Sequence, residues 1–416
     1  MKILIVNTYD ILGGAARAAY RLHRSLLLAG IDSKMLVQTK KSDDYTVIPV
    51  YGSNKIGKAF SLIRPTLDQI PLKFYKNRIK TLFSSACLPF SKAIEKIKEI
   101  NPDIVHLHWI AGGMIKIEDL AKIDKPIVWT LHDNWAFTGG CHIKWNCEKY
   151  TDICGACPVL GSNKEYDLSK KVWFRKKKVF KNMDMVIVTP SQWLYYCSKK
   201  SSLLKEKVHK VIPNPIDVDL FKPVDKSISR KIWNLPQDKK LIAFGAVNAT
   251  NDINKGFKEL SEALYKIADK KNIELVVFGS SEPKNPPNFG FKTHYLGHLH
   301  DDISLVILYN AVDVMVVPSL QENLPNTIME SLACGTPVVA FNVGGNSDMI
   351  GHLKNGYLAK PFDTDDLKNG IEWVLNTPNY NELCKNAREK VLREFDSKIV
   401  TKRYIDLYEE VLENRL

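Results

Sequence analysis

Long apolar runs are missing from this chain of 416 residues. No stretch approaches the roughly 18 consecutive apolar residues needed to span a bilayer. The opening MKILIVNTYD has too short an apolar stretch for a signal peptide and reads as a strand, so the expected location is the cytoplasm. A G-x-G-x-x-G fingerprint is missing after that first strand, which disfavours a nicotinamide enzyme. No nucleic-acid-binding motif appears. D-x-D occurs at Asp363-Thr364-Asp365, just before a helical pattern, where an N-cap and a first-turn acid account for it. Acidic residues are in deficit: 46 against 59 basic, for a net charge of +13, which favours acidic partners: nucleotide sugars, anionic lipid or nucleic acid. The eight cysteines stand in a long chain without a leader pattern, a setting for free or metal-bound thiols rather than disulfides.

What is present is an alternation of strand and helix patterns that occurs twice. KILIVN opens the first half. Gly13 and Gly14 follow, then a helix with apolar spacing near 3.6 that ends at Gly30, then the strand SKMLVQT. Residues 51–90 mix apolar and basic side chains and read as helices inserted on this half. DIVHLHW, PIVWTLHD and MVIVTPS are further strands. His106 and His108 share one face of the first of these, as a metal pair or as core histidines. Prolines in KVIPNPIDVDLFKP mark a junction. LIAFGAV, ELVVFGS and VMVVPS then alternate with helices up to residue 416. The pattern predicts two doubly wound parallel α/β sheets. The expected domains are 1–212, with a Cys-rich loop at 139–158, then 213–396, and a last helix at 397–416.

The densest stretch is PSLQENLPNTIMESLACGTPVVAF, residues 318–341. It reads as strand, loop, helix from about Asn326 to Ala333, and strand. Glu322 falls in the loop and Glu330 one turn into the helix, with Pro325 near the helix start. A helix N-terminus attracts a diphosphate. A carboxylate one turn on can hold a vicinal diol such as a ribose, and one in the loop can reach a second polyol. The same glutamates can also be read as solvated charges. Lys255, before Gly256 at another helix start, can neutralise a diphosphate leaving group or simply lie in solvent.

The E-x7-E spacing of Glu322 and Glu330, followed by GTPVV, resembles the signature of the retaining glycosyltransferases of family 4. The junction residues Asn214, Pro215, Ile216 and Asp217 are similar to that family's interdomain segment. The resemblance covers nearly the whole chain. It implies a GT-B fold, in which two Rossmann-like domains face a cleft and the last helix crosses back to the first domain. It implies retaining transfer of a hexose from a nucleoside-diphosphate sugar to a hydroxyl of a glycan or lipid-linked acceptor, as in cell-surface polysaccharide assembly.

The family's roles carry over by position. Lys255 binds the phosphates, and Glu330 takes the ribose. Glu322 takes the hexose, and Asn323 and Leu324 bring backbone N–H groups to the phosphates. His132 lines donor sugar and acceptor. The family's arginine, expected some residues before the lysine, is absent: Ala246, Val247 and Asn248 follow Gly245. Arg17 is the substitute candidate; the nearby Gly13-Gly14 pair could let a phosphate or a sugar of the donor approach the backbone, or could simply make a tight turn before a helix. With Lys255 and helix N-termini carrying the charge, no metal is required at the active site. Asp133 caps the turn after His132 or orients it. The rival classes are another GT-B enzyme, an epimerase or a phosphorylase, and a zinc-bearing nucleic-acid binder.

Two features lie outside this scheme. Cys141, Cys147, Cys154 and Cys157 form C-x5-C-x6-C-x2-C, either a four-thiolate structural zinc site or cysteines packed in a loop. Residues 164–182 carry eight basic and two acidic residues with Trp173, Phe174 and Phe180 between them. They read either as a helix lying on an anionic membrane at the inner face of the plasma membrane or as a helix whose aromatics face the core.

Overall fold

In the computed structural model, residues 1–245, 252–299 and 301–414 are described. The chain forms two compact units, Met1–Pro213 with Val400–Leu416, and Asn214–Ile399. In the first, strands β1 (Lys2–Tyr9), β2 (Asp32–Thr39), β3 (Val47–Pro49), β4 (Ile104–Leu107), β5 (Ile127–Thr130), β6 (Met185–Thr189) and β7 (Val208–Val211) make one sheet in the order β3-β2-β1-β4-β5-β6-β7. Every pairing in it is parallel. Ile3, Leu4, Ile5 and Val6 of β1 are all fully buried, because helices cover both faces of such a sheet and its strands become continuous apolar runs.

The helix Ser397–Leu412 begins in the second unit and continues into the first. Its Val400, Tyr404, Leu407 and Tyr408, at helical spacing, pack with Ile3, Ile5, Val128 and Val188. The helix Gly14–Leu28 starts after Gly13 at φ 89°.

The second unit holds β8 (Lys240–Gly245), β9 (Ile273–Phe278), β10 (Thr293–Tyr295), β11 (Val314–Val317), β12 (Val338–Phe341) and β13 (Gly356–Ala359), in the order β10-β9-β8-β11-β12-β13 and again parallel. In each sheet the strand order reverses at one place, between β1 and β4 and between β8 and β11. Such a reversal leaves a crevice at the carboxyl ends of the strands. Gly13, Gly14 and Arg17 follow β1, and residues 318–325 follow β11. Each group therefore stands at the switch point of its own sheet.

The basic segment takes the core-facing alternative. The helix Leu168–Phe180, N-capped by Asp167, buries Val172, Trp173, Lys176, Val179 and Phe180. The Lys176 ammonium donates to the carbonyls of Trp135 and Thr138 and lies 3.8 Å from the Trp135 ring centroid. Paired in this way, a lysine can enter a core and take its aromatic neighbours with it. Two of the three aromatics of 164–182, Trp173 and Phe180, thus face the core, while Phe174 stays 42% exposed. Residues 51–90 contain the expected helical structure, Lys55–Asp68 and a 3-10 turn at Ile70–Phe74. Asp363 is an N-cap, accepting from the backbone N–H of Asp365 and Asp366, so D-x-D has its structural explanation.

Candidate active site

In the second unit the loop after β11 is held by backbone as much as by side chains. Asn254 lies on the 3-10 turn Ile253–Lys255. Its amide donates to the Gln321 carbonyl at 2.9 Å and accepts from the Gln321 N–H at 3.0 Å. The Leu320 N–H donates to the Asn254 carbonyl at 2.9 Å. Gly256, at φ 68°, lies so close to Pro318 that an added Cβ would stand 1.9 Å from its carbonyl oxygen. On the other side Gly344 approaches the Glu322 backbone, where a Cβ would meet the carbonyl oxygen at 1.7 Å.

This frame brings two of the expected residues together. Lys255 Nζ donates to Glu322 Oε1 at 2.6 Å, both side chains being partly buried. Burial pulls the Lys255 pKa down, but the charge and hydrogen bond of Glu322, with Asp252 beyond, outweigh it and hold the group above its ordinary value.

Glu330 sits on the helix Asn326–Ala333, buried to 2% exposure, and its Oε2 accepts from the Tyr309 hydroxyl at 2.9 Å. Tyr309 is presented by the helix Asp302–Ala311. Asn323 is half-buried and Leu324 buried, on the segment entering the Glu330 helix. The result is a cation on a 3-10 turn, one carboxylate on the loop after β11, and a second carboxylate on the helix that this loop enters. Such a set can neutralise a diphosphate and hold hydroxyl pairs.

In the first unit His132 follows β5. Its Nε2 shares a hydrogen bond of 2.8 Å with His108 Nδ1. Burial lowers the His132 pKa to about 4 against the opposing charge of Asp133, and holds it as neutral imidazole. Asp133 caps the following turn, its Oδ1 accepting from the Trp135 N–H at 2.8 Å. Its other oxygen accepts from Trp109 Nε1 at 2.8 Å and pairs with His142 Nδ1 at 2.6 Å. His106 is a core histidine, bonded to the Thr130 and Tyr408 hydroxyls at 2.8 and 2.7 Å. Trp109, His142, Asn254 and Tyr309 escaped sequence reading. His142 is adjacent to Cys141, where the cysteine spacing absorbed the signal, and the partners of the others are distant in sequence.

The four cysteines come together. All line one cavity of about 20 Å³; Cys141, Cys154 and Cys157 are buried and Cys147 is half-buried. As placed, no three His, Cys, Asp or Glu side chains among the described residues stand in metal-holding geometry. The preformed tetrahedral arrangement anticipated from the spacing is therefore not what the side chains show. The missing-arginine positions Ala246, Val247 and Asn248 lie outside the described residues. Among the described residues, no helix is long and apolar enough to cross a membrane.

Two parallel α/β sheets of seven and six strands are the architecture of a GT-B glycosyltransferase, and comparison with known proteins agrees. The Glycosyltransferase Family 4 model matches residues 12–220 and the Glycosyl transferases group 1 model residues 225–391. The chain belongs to glycosyltransferase family 4.

It is 26% identical over 374 residues to the putative colanic acid biosynthesis glycosyl transferase WcaC of Escherichia coli, covering 82% of this chain and 83% of that one. It is 31% identical over 207 residues to the N,N'-diacetylbacillosaminyl-diphospho-undecaprenol alpha-1,3-N-acetylgalactosaminyltransferase of Campylobacter jejuni, covering 48% and 53%. The structure of HepE from Anabaena, in complex with UDP-glucose, shares the fold with a TM-score of 0.67 at 15% identity, covering 99% and 100%.

Proposed function

We propose that this glycosyltransferase moves a hexose, with retention of anomeric configuration, from a nucleoside-diphosphate sugar to a hydroxyl of a lipid-linked glycan in cell-surface polysaccharide assembly. The observation that carries the reading is the loop after β11, where Lys255 pairs with Glu322 and Glu330 lies one helical turn beyond. Lys255 and the helix start stabilise the departing diphosphate. Glu330, fixed by Tyr309, takes the ribose, and Glu322 takes the hexose. Asn323 and Leu324 offer backbone N–H groups to the phosphates, and His132 lines the sugar in its neutral form. Gly13, Gly14 and Arg17, which follow β1 at the switch point of the first sheet, are further candidates for contact with the donor. The departing phosphate takes the acceptor proton, so the protein supplies position and charge rather than a covalent nucleophile. The diphospho-undecaprenol in the Campylobacter relative's name supports a lipid-linked acceptor.

Peripheral contact with an anionic membrane fits such an acceptor. A surface that supports it is 55–80, where Ile56, Leu62, Ile63 and Phe74 are exposed among Lys55, Lys58, Lys73, Lys76 and Lys80.

A panel of nucleotide sugars, each offered with a diphospho-polyprenol-linked glycan, tests the reading through nucleotide release and the anomeric configuration of the product. A product that keeps the donor's anomeric configuration, with nucleoside diphosphate release, is expected. An inverted product removes the retaining mechanism. Epimerised donor without transfer, or release of sugar 1-phosphate, removes transfer altogether.

A further inference from the structure

We propose that the first unit holds a second ligand site, a basic cavity at the carboxyl ends of β2 and β3 that binds the diphosphate group of the lipid-linked acceptor. The acceptor part of this assignment rests on the function proposed above, and the anion site does not.

The cavity measures about 430 Å³, within the roughly 300–1,000 Å³ of small-molecule sites. Gln38 and Thr39 end β2 and Pro49 ends β3, so the cavity lies at the edge where parallel sheets bind ligands. Another wall is the helix Lys55–Asp68, with Ser53 just before its start.

The charge of the lining is one-sided. Lys40, Lys41 and Lys58 line the cavity, and no carboxylate does. Lys40 donates one N–H to the neutral Asp44 carbonyl at 2.6 Å and keeps its charge. The start of the 14-residue helix adds the positive end of its dipole. Buried Asp10 fixes the loop between, its Oδ2 accepting from the backbone N–H groups of Lys41 and Ser42 at 2.8 and 2.7 Å. A loop held in this way is ordered before a ligand arrives.

The same wall keeps bonding capacity in reserve. Gln38 Oε1, Thr39 Oγ1 and Ser42 Oγ are buried with no hydrogen-bond partner among the described residues. Buried polar groups are normally paired, so three unpaired ones within five positions suit a polar guest. Gln38 is oriented by its Nε2, which donates to the Gly112 carbonyl at 3.1 Å. That bond ties the cavity to the segment after β4 that carries Trp109, which in turn donates to Asp133 beside His132. The cavity and His132 thus share the carboxyl edge of one sheet.

Leu62, also in the lining, is exposed, as are Ile56 and Ile63 on the same helix. A diphosphate held by the lysines has an apolar surface beside it, which suits a prenyl-linked diphosphate better than a free one.

Calorimetric titration of the full chain with geranyl diphosphate, and separately with inorganic pyrophosphate, tests the proposal. Lys41→Glu/Lys58→Glu changes two exposed side chains and should weaken geranyl diphosphate binding by about tenfold or more. Ser53→Asp puts a carboxylate ahead of a helix start, where the helix itself favours an acid. Its melting temperature should hold while geranyl diphosphate affinity falls by about tenfold. Lys255→Ala, which weakens the donor site, should leave that affinity within about twofold of the parent. With transfer running, the two cavity variants should raise KM for the diphospho-polyprenol-linked glycan at unchanged kcat and unchanged donor KM. Without any transfer, the titrations still decide the anion site. Parent-like geranyl diphosphate binding by both cavity variants overturns the site, as does its loss in Lys255→Ala alone or its absence in the parent. Equal affinity for inorganic pyrophosphate overturns the lipid-linked assignment.

Discussion

Lys255 and Glu322, 67 positions apart, form an ion pair of 2.6 Å between the 3-10 turn that follows β8 and the loop that follows β11. The lysine proposed for the diphosphate and the glutamate proposed for the hexose are thus coupled. Each modulates the charge that the other presents to a ligand.

That coupling sets the first prediction. In Glu322→Gln, Lys255 loses its carboxylate and offers its full charge to a diphosphate. Affinity for the free nucleoside diphosphate should hold or rise severalfold, while turnover with the nucleotide sugar falls at least about tenfold, the equivalent of roughly 1.4 kcal/mol. Lys255→Ala should lose diphosphate affinity by about ten- to a hundredfold, since charged hydrogen bonds contribute roughly 1.5–3 kcal/mol. Calorimetry with the nucleotide alone separates the two. Weakened binding by Glu322→Gln would show that this carboxylate serves the nucleotide instead.

Glu330 and Tyr309 give the second. Glu330→Gln keeps the size of a buried side chain but loses its charge, and nucleoside diphosphate affinity should fall about ten- to a hundredfold. Tyr309→Phe removes one hydrogen bond from the carboxylate and leaves it less firmly aimed. It should weaken the same affinity by about three- to tenfold, for a cost of roughly 1 kcal/mol. If both variants melt like the parent and bind like the parent, Glu330 does not hold the ribose.

Those pairs also show where sequence reading reaches its limit. The strand, loop and helix of residues 318–341 are legible because apolar runs, Pro325 and helical spacing are local signals. The two parallel sheets follow from the repeated alternation. The Asn254 clip on Gln321, the Glu322 pairing and the Tyr309 hydroxyl are not legible, because chain folding brings together residues 21 to 67 positions apart. Lys176 misled for a different reason. Lysines interleaved with aromatics look the same whether the helix meets lipid or core, and only the carbonyls of Trp135 and Thr138 distinguish the cases.

The buried histidines make the protein acid-sensitive. Burial lowers the pKa of His106 to about 3 and of His23 and His132 to about 4, and puts His108 well below its ordinary value. Unfolded, each returns to about 6.5. Between those limits the unfolded chain binds more protons, so stability is full above about pH 6.5 and falls as pH drops toward 4. Each histidine contributes up to about 1.4 kcal/mol per pH unit. The melting temperature should therefore decline steadily from pH 6.5 to 4.5, with net proton uptake on unfolding at pH 5. A flat profile over that range would mean that these imidazoles do not stay neutral in the fold.

The last prediction separates the two basic segments. Residues 55–80 expose Ile56 at 81%, Leu62 at 60%, Ile63 at 50% and Phe74 at 84%, and the acid in the segment, Asp68, is buried. Apolar side chains interspersed with lysines suit an anionic interface: the former enter the acyl boundary and the latter meet the headgroups. Each surface lysine contributes about 1 kcal/mol near such a membrane. Replacing Ile63 and Phe74 with Ser, and in a second variant Lys55 and Lys58 with Glu, should each reduce flotation with anionic vesicles by about tenfold or more. Neutral vesicles should bind the parent weakly. The matching change of Lys177 and Lys178 to Glu, on the helix that buries Trp173 and Phe180, should leave flotation nearly intact. Loss with the latter pair and retention with the former would return the membrane-facing role to residues 164–182.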